Sequence, residues 1–472
     1  MTKTLEGNRL PVTTRLQMIA ILAIGLVYCI GLAHHWGPLS VSGKLQQWLG
    51  QPYPEWRWRN LSILTTAKLL CAPFALIVWV LWRIEKHASR TSVALFLGLL
   101  VLSNYLFQSL GMLADHRGMD LVREIVLSPG ATSYFTDATA IQHPLEWLRH
   151  FDTAILSKHS SEHPPGPVLF YYVFVRLLGQ VWGAMIGGCA VGLLGSAGVL
   201  VIYLFAGLCT SDWRARITAS AFYALIPSLT LYFPEFDQTY PILSMLLILC
   251  WVTTLRGGGG ISRFPFCTGV TLFICTLFAY NLLSVGAFLT YYGIYWLWRE
   301  KWARTAWSKL ALSTGITFAV CAGLYGVLWL ISGFNPITSF HHGLLNQDAL
   351  AARLHRPYGI FIVLDLYGFL LGAGIIALPI LLLELQDLWA KSDSRQTELA
   401  LTLIGLATVL TVDLSGMLRG ETSRVWLFLQ PLLIVPAALK LSRIPRPWKL
   451  SIFTVQWLIV VCLKARMSCL NP

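Results

Sequence analysis

Residues 182–208 read WGAMIGGCAVGLLGSAGVLVIYLFAGL, an unbroken stretch without a charged side chain. Helices rise about 1.5 Å per residue, so roughly 20 apolar residues cross the hydrocarbon of a bilayer, and this stretch reads as a spanning helix. It is closed by Arg214 and Arg216. Similar runs lie near 17–35, 62–82, 93–113, 217–233, 240–256, 266–280, 282–298, 310–332, 360–385, 399–417, 425–441 and 449–464. The composition agrees: 56% of residues are hydrophobic and 12% charged, against about a quarter charged in soluble domains. The expectation is an all-α polytopic membrane protein of about thirteen transmembrane helices. The runs at 266–280 and 282–298 are short enough to form one bent hairpin.

The net charge of +13 does not point to nucleic acid, because the cations sit in short clusters between apolar runs. Arg83/Lys86/Arg90, Arg214/Arg216, Arg256/Arg263, Arg299/Lys301/Arg304/Lys309, Lys391/Arg395 and Lys440/Arg443/Arg446/Lys449 fall on one side if each run crosses once, which makes that side cytoplasmic. Nine of the ten cysteines lie in or at the ends of apolar runs without C-x-x-C spacing, so they read as small packing residues. The first run follows Arg9 and Arg15 without a small-residue cleavage site and is expected to be retained. Gly257–Gly260 has no adjacent Lys-Ser/Thr and reads as a turn.

The opposite face carries a large loop, 114–181, and a smaller one, 333–359. The large loop holds Asp115-His-Arg-Gly-Met-Asp120, Tyr134-Phe-Thr-Asp137 and Ser161-Glu162-His163-Pro-Pro-Gly166. An Asp just above the hydrocarbon is partly desolvated, which moves its pKa toward the range of a general base. The alternative for any one of them is a helix cap or a solvated carboxylate. The two prolines force an extended entry into 167–178, an apolar segment too short to cross; the break at Gly179 suggests a helix lying at the interface. Arg353, His355, Arg356, Arg419 and Arg424 place cations on the translocated side, where they call for partners, whether phosphate, lipid headgroups or Asp348 and Glu421. Asp365 and Asp413 lie within apolar runs, where an ionisable group marks a site or a pair.

The long acidic loop, Glu162-His-Pro-Pro165 leading into the aromatic Phe170-Tyr-Tyr172, the following span ending at Arg214 and Arg216, and the turn Pro234-Glu-Phe-Asp237 together resemble the GT-C superfamily of membrane glycosyltransferases, in particular aminoarabinose transferases and protein O-mannosyltransferases. The likeness covers residues 93–256 best; Arg419-Gly-Glu-Thr-Ser-Arg424 resembles a motif in bacterial members. It implies three parts: 1–92, an N-terminal cytoplasmic tail with two prepended transmembrane helices; 93–256, a catalytic core with outer loop 114–181; and 257–472, C-terminal helices with outer loops 333–359 and 418–424. It also implies inverting transfer of a sugar from a polyprenyl-phosphate donor to a glycan, lipid or protein hydroxyl at the outer face of a bacterial inner membrane. The family's adjacent acidic pair is absent, which leaves Asp137, then Asp120, then Asp115 as candidate bases. His163, Arg353, His355, Arg356, Arg419 and Arg424 would bind phosphate, with Glu162, Asp237 and Glu421 in support. No cofactor is certain, and the candidates for a divalent metal are Glu162, His341 and His342. A transporter or flippase of lipid-linked sugar is the competing expectation, and a catalytically inactive scaffold a third.

Overall fold

The computed structural model describes residues 11–36, 39, 57–86, 92–257, 263–353, 356–468 and 470. His355, Arg9, Arg90, Cys469 and Gly258–Gly260 lie outside these, as does the side chain of Arg353. The chain is a multi-pass helical membrane protein. Among the described residues eight helices are long and apolar enough to cross a bilayer: Val12–Ala33, Ile63–Glu85, Val93–Met112, Gly166–Ala206, Phe236–Arg256, Arg304–Ser332, Arg395–Ser415 and Arg446–Arg466. Tyr358–Ala373 and Ala377–Ala390 add a ninth if this pair, bent by 92°, is one span. Phe264–Phe278 and Leu427–Ser442 are shorter apolar helices. Lipid offers no hydrogen bonds, so each apolar run satisfies its backbone internally and becomes helical.

The shortfall from the thirteen expected runs has local causes. The run at 217–233 is split into Trp213–Tyr223 and Pro227–Leu231, with a proline opening the second piece. The run at 282–298 begins as a 3-10 turn over Tyr280–Val285 and leaves a helix only from Gly286 to Arg299. The break expected at Gly179 is present: its φ of 72° and ψ of −179° interrupt Gly166–Ala206, a conformation open to glycine because it lacks a Cβ.

The segment between Met112 and Gly166 is folded onto the bundle. It forms helices Asp120–Leu127, Tyr134–Ala140, Pro144–Arg149 and Lys158–Glu162. Leu121, Val122, Ile125 and Val126 are buried, the period of an amphipathic helix laying one face on the protein. Gly188 lets it sit so close: a Cβ there would lie 2.8 Å from Val122 and 3.0 Å from Val126. Beneath, Gln108 donates to Asn104 at 2.8 Å and to Ser196 at 2.9 Å, while Asn104 donates to the Ala224 carbonyl at 2.8 Å. These polar pins register three helices in the apolar interior.

The two ends of the bundle are both ionic but differ in kind. At the end carrying the basic loops, Arg395 and Arg443 share Glu384 and Glu398, with Arg443 2.9 Å and Arg395 2.8 Å from Glu398. Lys440 pairs with Asp387, and Glu85 accepts from Lys449 at 2.8 Å. Glu384, Glu398, Asp387 and Glu85 thus each have a cation, as a structural clamp between helix ends requires. The opposite end holds the cluster described below.

Replacing Gly188 by Leu should lift Asp120–Leu127 off the bundle, since overpacking of this sort costs about 1–3 kcal/mol. The expected result is a lower thermal midpoint in detergent, together with faster proteolysis within residues 113–165. An unchanged midpoint would show that the contact is dispensable.

Candidate functional site

The chain turns sharply after the buried Phe233. Pro234-Glu-Phe-Asp then runs into a 3-10 turn, Phe236–Thr239, which is continuous with the helix Tyr240–Arg256. This turn carries Glu235, whose side chain is 2% exposed, and Asp237. Between them lies the guanidinium of Arg424, from the Thr422–Val425 helix almost two hundred residues away. Its Nη1 is 3.6 Å from Glu235 and its Nε 3.8 Å from Asp237, and it donates to Glu421. Glu421 also faces Arg356 at 3.5 Å.

The loop that presents Arg424 is held at many points. Gly416, Gly420 and Glu421 have φ values of 63°, 82° and 54°. For Glu421, a residue with a Cβ, this backbone costs about 1–3 kcal/mol and marks a place where the surroundings enforce a special geometry. The enforcing contacts are specific. The buried Asp365 accepts from the Gly420 N–H at 2.8 Å, and its backbone carbonyl accepts from Thr422 Oγ1 at 2.6 Å. Arg419 donates to the Gly416 and Arg356 carbonyls at 2.8 and 2.6 Å, while Arg356 donates back to the Arg419 carbonyl. From below, Gln430 Nε2 and Ser228 Oγ both donate to the Ser423 carbonyl.

Aromatic rings complete the surroundings. Phe236 packs against Tyr134, Phe170, Tyr171 and Phe278, with ring centroids 5.1–6.3 Å apart. His163 sits edge-on to Tyr134 at 5.7 Å. Four buried polar atoms here have no hydrogen-bond partner among the described residues: Glu235 Oε1, His163 Nδ1, Tyr171 OH and Asn281 Oδ1. Buried polar groups are nearly always paired, so unpaired ones drawn from several segments are positioned for something other than one another.

The burial also sets protonation. Burial pushes the Glu235 carboxyl up to about 8 despite the pull of Arg424, and the neighbouring Asp237 adds to the rise. Burial lowers His163 to about 4, helped by the positive charge of Arg424. Burial would lower Arg424 too, but Glu421, Glu235 and Asp237 hold it well above its usual value. At neutral pH the site therefore offers a protonated carboxyl, a neutral imidazole and a permanent cation.

The acids expected from sequence occupy other places. Asp115 is held by Arg117 at 3.0 Å, and hydrogen bonds from Arg117 bring its pKa down to about 2 against the effect of burial. Asp120 is 61% exposed and pairs with Arg123 at 3.4 Å. Asp137 accepts from the Ser157 N–H at 3.2 Å and from its hydroxyl, tying two parts of the loop together. Ser161 and Glu162 meet the helix Pro336–Arg353: Asn346 donates to the Ser161 carbonyl at 2.8 Å, and a Cβ on Gly343 would lie 3.4 Å from the Glu162 carbonyl. His341 and His342 are exposed on that helix with rings 6.4 Å apart. Among the described residues no group of three or more His, Cys, Asp or Glu is placed to hold a metal ion. The structure thus brings Arg356, Arg424, Glu421, Asp237 and His163 together, with Arg419 bracing the loop. Glu235, Tyr134 and Tyr171 lie in the quoted motifs but carried no assigned role, and Asn281 was not singled out by the sequence; for Glu235 the signal was an acid two residues before Asp237 at the end of an apolar run.

No family model matches the chain, and no curated protein matches it.

Glu235 binds its proton more tightly folded than unfolded, so its contribution to stability is complete below about pH 4.5 and is lost as pH rises toward 8. Thermal midpoints measured from pH 5 to pH 9 should fall for the wild type across that window and fall less for Glu235→Gln. Arg424→Met should destabilise by about 3–5 kcal/mol, because buried carboxylates then lack a cation; a chemical-denaturation series would detect this.

Proposed function

We propose that this protein transfers a sugar from a polyprenyl-phosphate-linked donor to an acceptor hydroxyl, at the membrane face opposite its basic loops. In this reading the chain crosses the membrane thirteen times in a GT-C-like arrangement, with the shorter helices as full crossings, and resides in a bacterial inner membrane. The observation that carries it is the Glu235, Asp237 and Arg424 cluster with its unpaired polar atoms, buried under aromatic rings at one end of the bundle. A transferase needs a base, a cation for the leaving group and an enclosure that excludes water. This cluster has candidates for all three.

Asp237 lies near Arg424 without a tight hydrogen bond to it, so its carboxylate is available to take the proton of the acceptor hydroxyl. The acceptor oxygen then bonds to the anomeric carbon from the face opposite the phosphate. The bond from that carbon to the phosphate oxygen breaks, and its electron pair leaves with the polyprenyl phosphate. Arg424 and Arg356 offset the charge of that phosphate, a role in which guanidinium forks are effective. Protonated Glu235 and neutral His163 hydrogen-bond sugar hydroxyls, and the Phe236 and Tyr134 rings cover the apolar face of the sugar. Asp115, Asp120 and Asp137 support the loop in this reading, since each already has a partner in Arg117, Arg123 or Ser157.

One observation favours a second reading, transport of a lipid-linked sugar. The 92° break between Ala373 and Ala377 is the kind of discontinuous helix that transporters build around a substrate. Both readings are separated by one assay. Purified protein in liposomes is supplied with a panel of radiolabelled polyprenyl-phosphate sugars, and both bond formation and movement between leaflets are followed. Loss of a general base costs about 100-fold or more; Asp237→Asn should show that loss, and Asp137→Asn less than about tenfold. Movement of the lipid without a new glycosidic bond would establish the transporter instead, and undiminished transfer by both Asp237→Asn and Glu235→Gln would refute the assignment of these acids.

A further inference from the structure

At the end carrying the basic loops, the helix Ile63–Lys86 exposes a groove of about 440 Å³ lined by Cys71, Phe74, Ala75, Val78, Trp79, Trp82 and Arg446. Its lining is almost entirely apolar, apart from the guanidinium contributed by the start of the helix Arg446–Arg466. From Cys71 to Trp82 the groove follows about 16 Å of helix, close to the hydrocarbon depth of one leaflet, about 15 Å. Phe74 forms part of its wall and is stacked on Trp457 at 5.1 Å. The tryptophans lie toward the polar end, the position such rings favour at a membrane interface.

The charges gather at that same end. Arg446 lies 3.7 Å and Lys449 2.8 Å from a single carboxylate, Glu85. The guanidinium of Arg83 lies over the Trp79 and Trp82 rings at 5.4 and 5.9 Å. Two cations, Arg446 and Lys449, share the single carboxylate of Glu85, which leaves the mouth of the groove positive. An apolar slot one leaflet deep, positive only at its headgroup end, is complementary to a lipid with a negative headgroup.

We infer that this groove is a specific binding site for an anionic glycerophospholipid of the leaflet on the basic-loop side, its acyl chain along Phe74, Ala75 and Val78 and its phosphate at Arg446. The site is separate from the Arg424 cluster and independent of the reaction proposed there. It would tie the outward face of the Ile63–Lys86 helix to the start of the last helix through the lipid.

The test uses the full-length protein in bilayer discs of phosphatidylcholine and phosphatidylglycerol, released into the gas phase so that retained lipids are counted by native mass spectrometry. The expected result is one retained phosphatidylglycerol, enriched about fivefold over the disc composition, since each cation near an anionic surface contributes about that factor. Ala75→Phe and Cys71→Phe fill the groove from its exposed side and should each abolish retention at an unchanged thermal midpoint; having two such variants covers the failure of either to fold. Arg446→Gln should retain a lipid without headgroup preference. The inference is overturned if the wild type retains no lipid, if the retained lipid mirrors the disc composition, or if retention survives both groove-filling variants. It is likewise overturned if protein from native membranes carries a polyprenyl phosphate there, displaced by the same substitutions.

Discussion

One guanidinium held among three carboxylates organises the end of this molecule opposite the basic loops. Placing Arg424 largely out of contact with bulk water is costly, and Glu421, Glu235 and Asp237 offset that cost only because two distant pieces of chain, 235–237 and 421–424, converge. The convergence explains features that otherwise look unrelated: the left-handed backbone of Glu421, the reciprocal bonds between Arg356 and Arg419, and the acceptance of the Gly420 N–H by Asp365. Each fixes the loop that delivers one charge.

The contrast with the far end sharpens the functional argument. There Glu384, Glu398, Arg395 and Arg443 form close contacts that leave one oxygen, Glu384 Oε2, without a hydrogen bond among the described residues, the arrangement that holds helix ends together. Around Arg424 the contacts to Glu235 and Asp237 are long, and several neighbouring polar atoms are left unsatisfied. The far end spends nearly all of its charged atoms on itself, whereas the Arg424 end leaves polar atoms from several segments without a partner among the described residues. The same two carboxylate-guanidinium chemistries therefore read differently once distances are known.

Much of the architecture was legible in the residues. Charge-free runs such as Trp182–Leu208 are long enough to leave little choice but a membrane helix, and the glycine at 179 announced a break because, without a Cβ, it reaches the positive φ that a helix does not use. Helix lengths were less legible, since a run such as 217–233 does not reveal that Pro227 divides it. The cluster was half legible. Arg424, Glu421, Arg356 and Asp237 stood out as charges at the ends of apolar runs. Which acid stands beside which cation depends on contacts across almost two hundred residues, and hydropathy carries no information about those. Asp137 drew attention for its chemistry, yet its oxygens are engaged by Ser157; Glu235, hidden beside a proline, has the buried environment.

The bond from Ser157 to Asp137 also closes off part of the large loop. The closed stretch between Asp137 and Ser157 packs Leu148 and Phe151 against Phe334, and its fully solvent-exposed tip lies at Ile155, two residues before the clamp. The entropy of closing such a stretch rises only logarithmically with its length. Extra sequence accommodated at that tip would therefore load the clamp very little, which makes it a natural handle on this face of the molecule, where an epitope or a fiducial domain can be grafted without disturbing the buried charges.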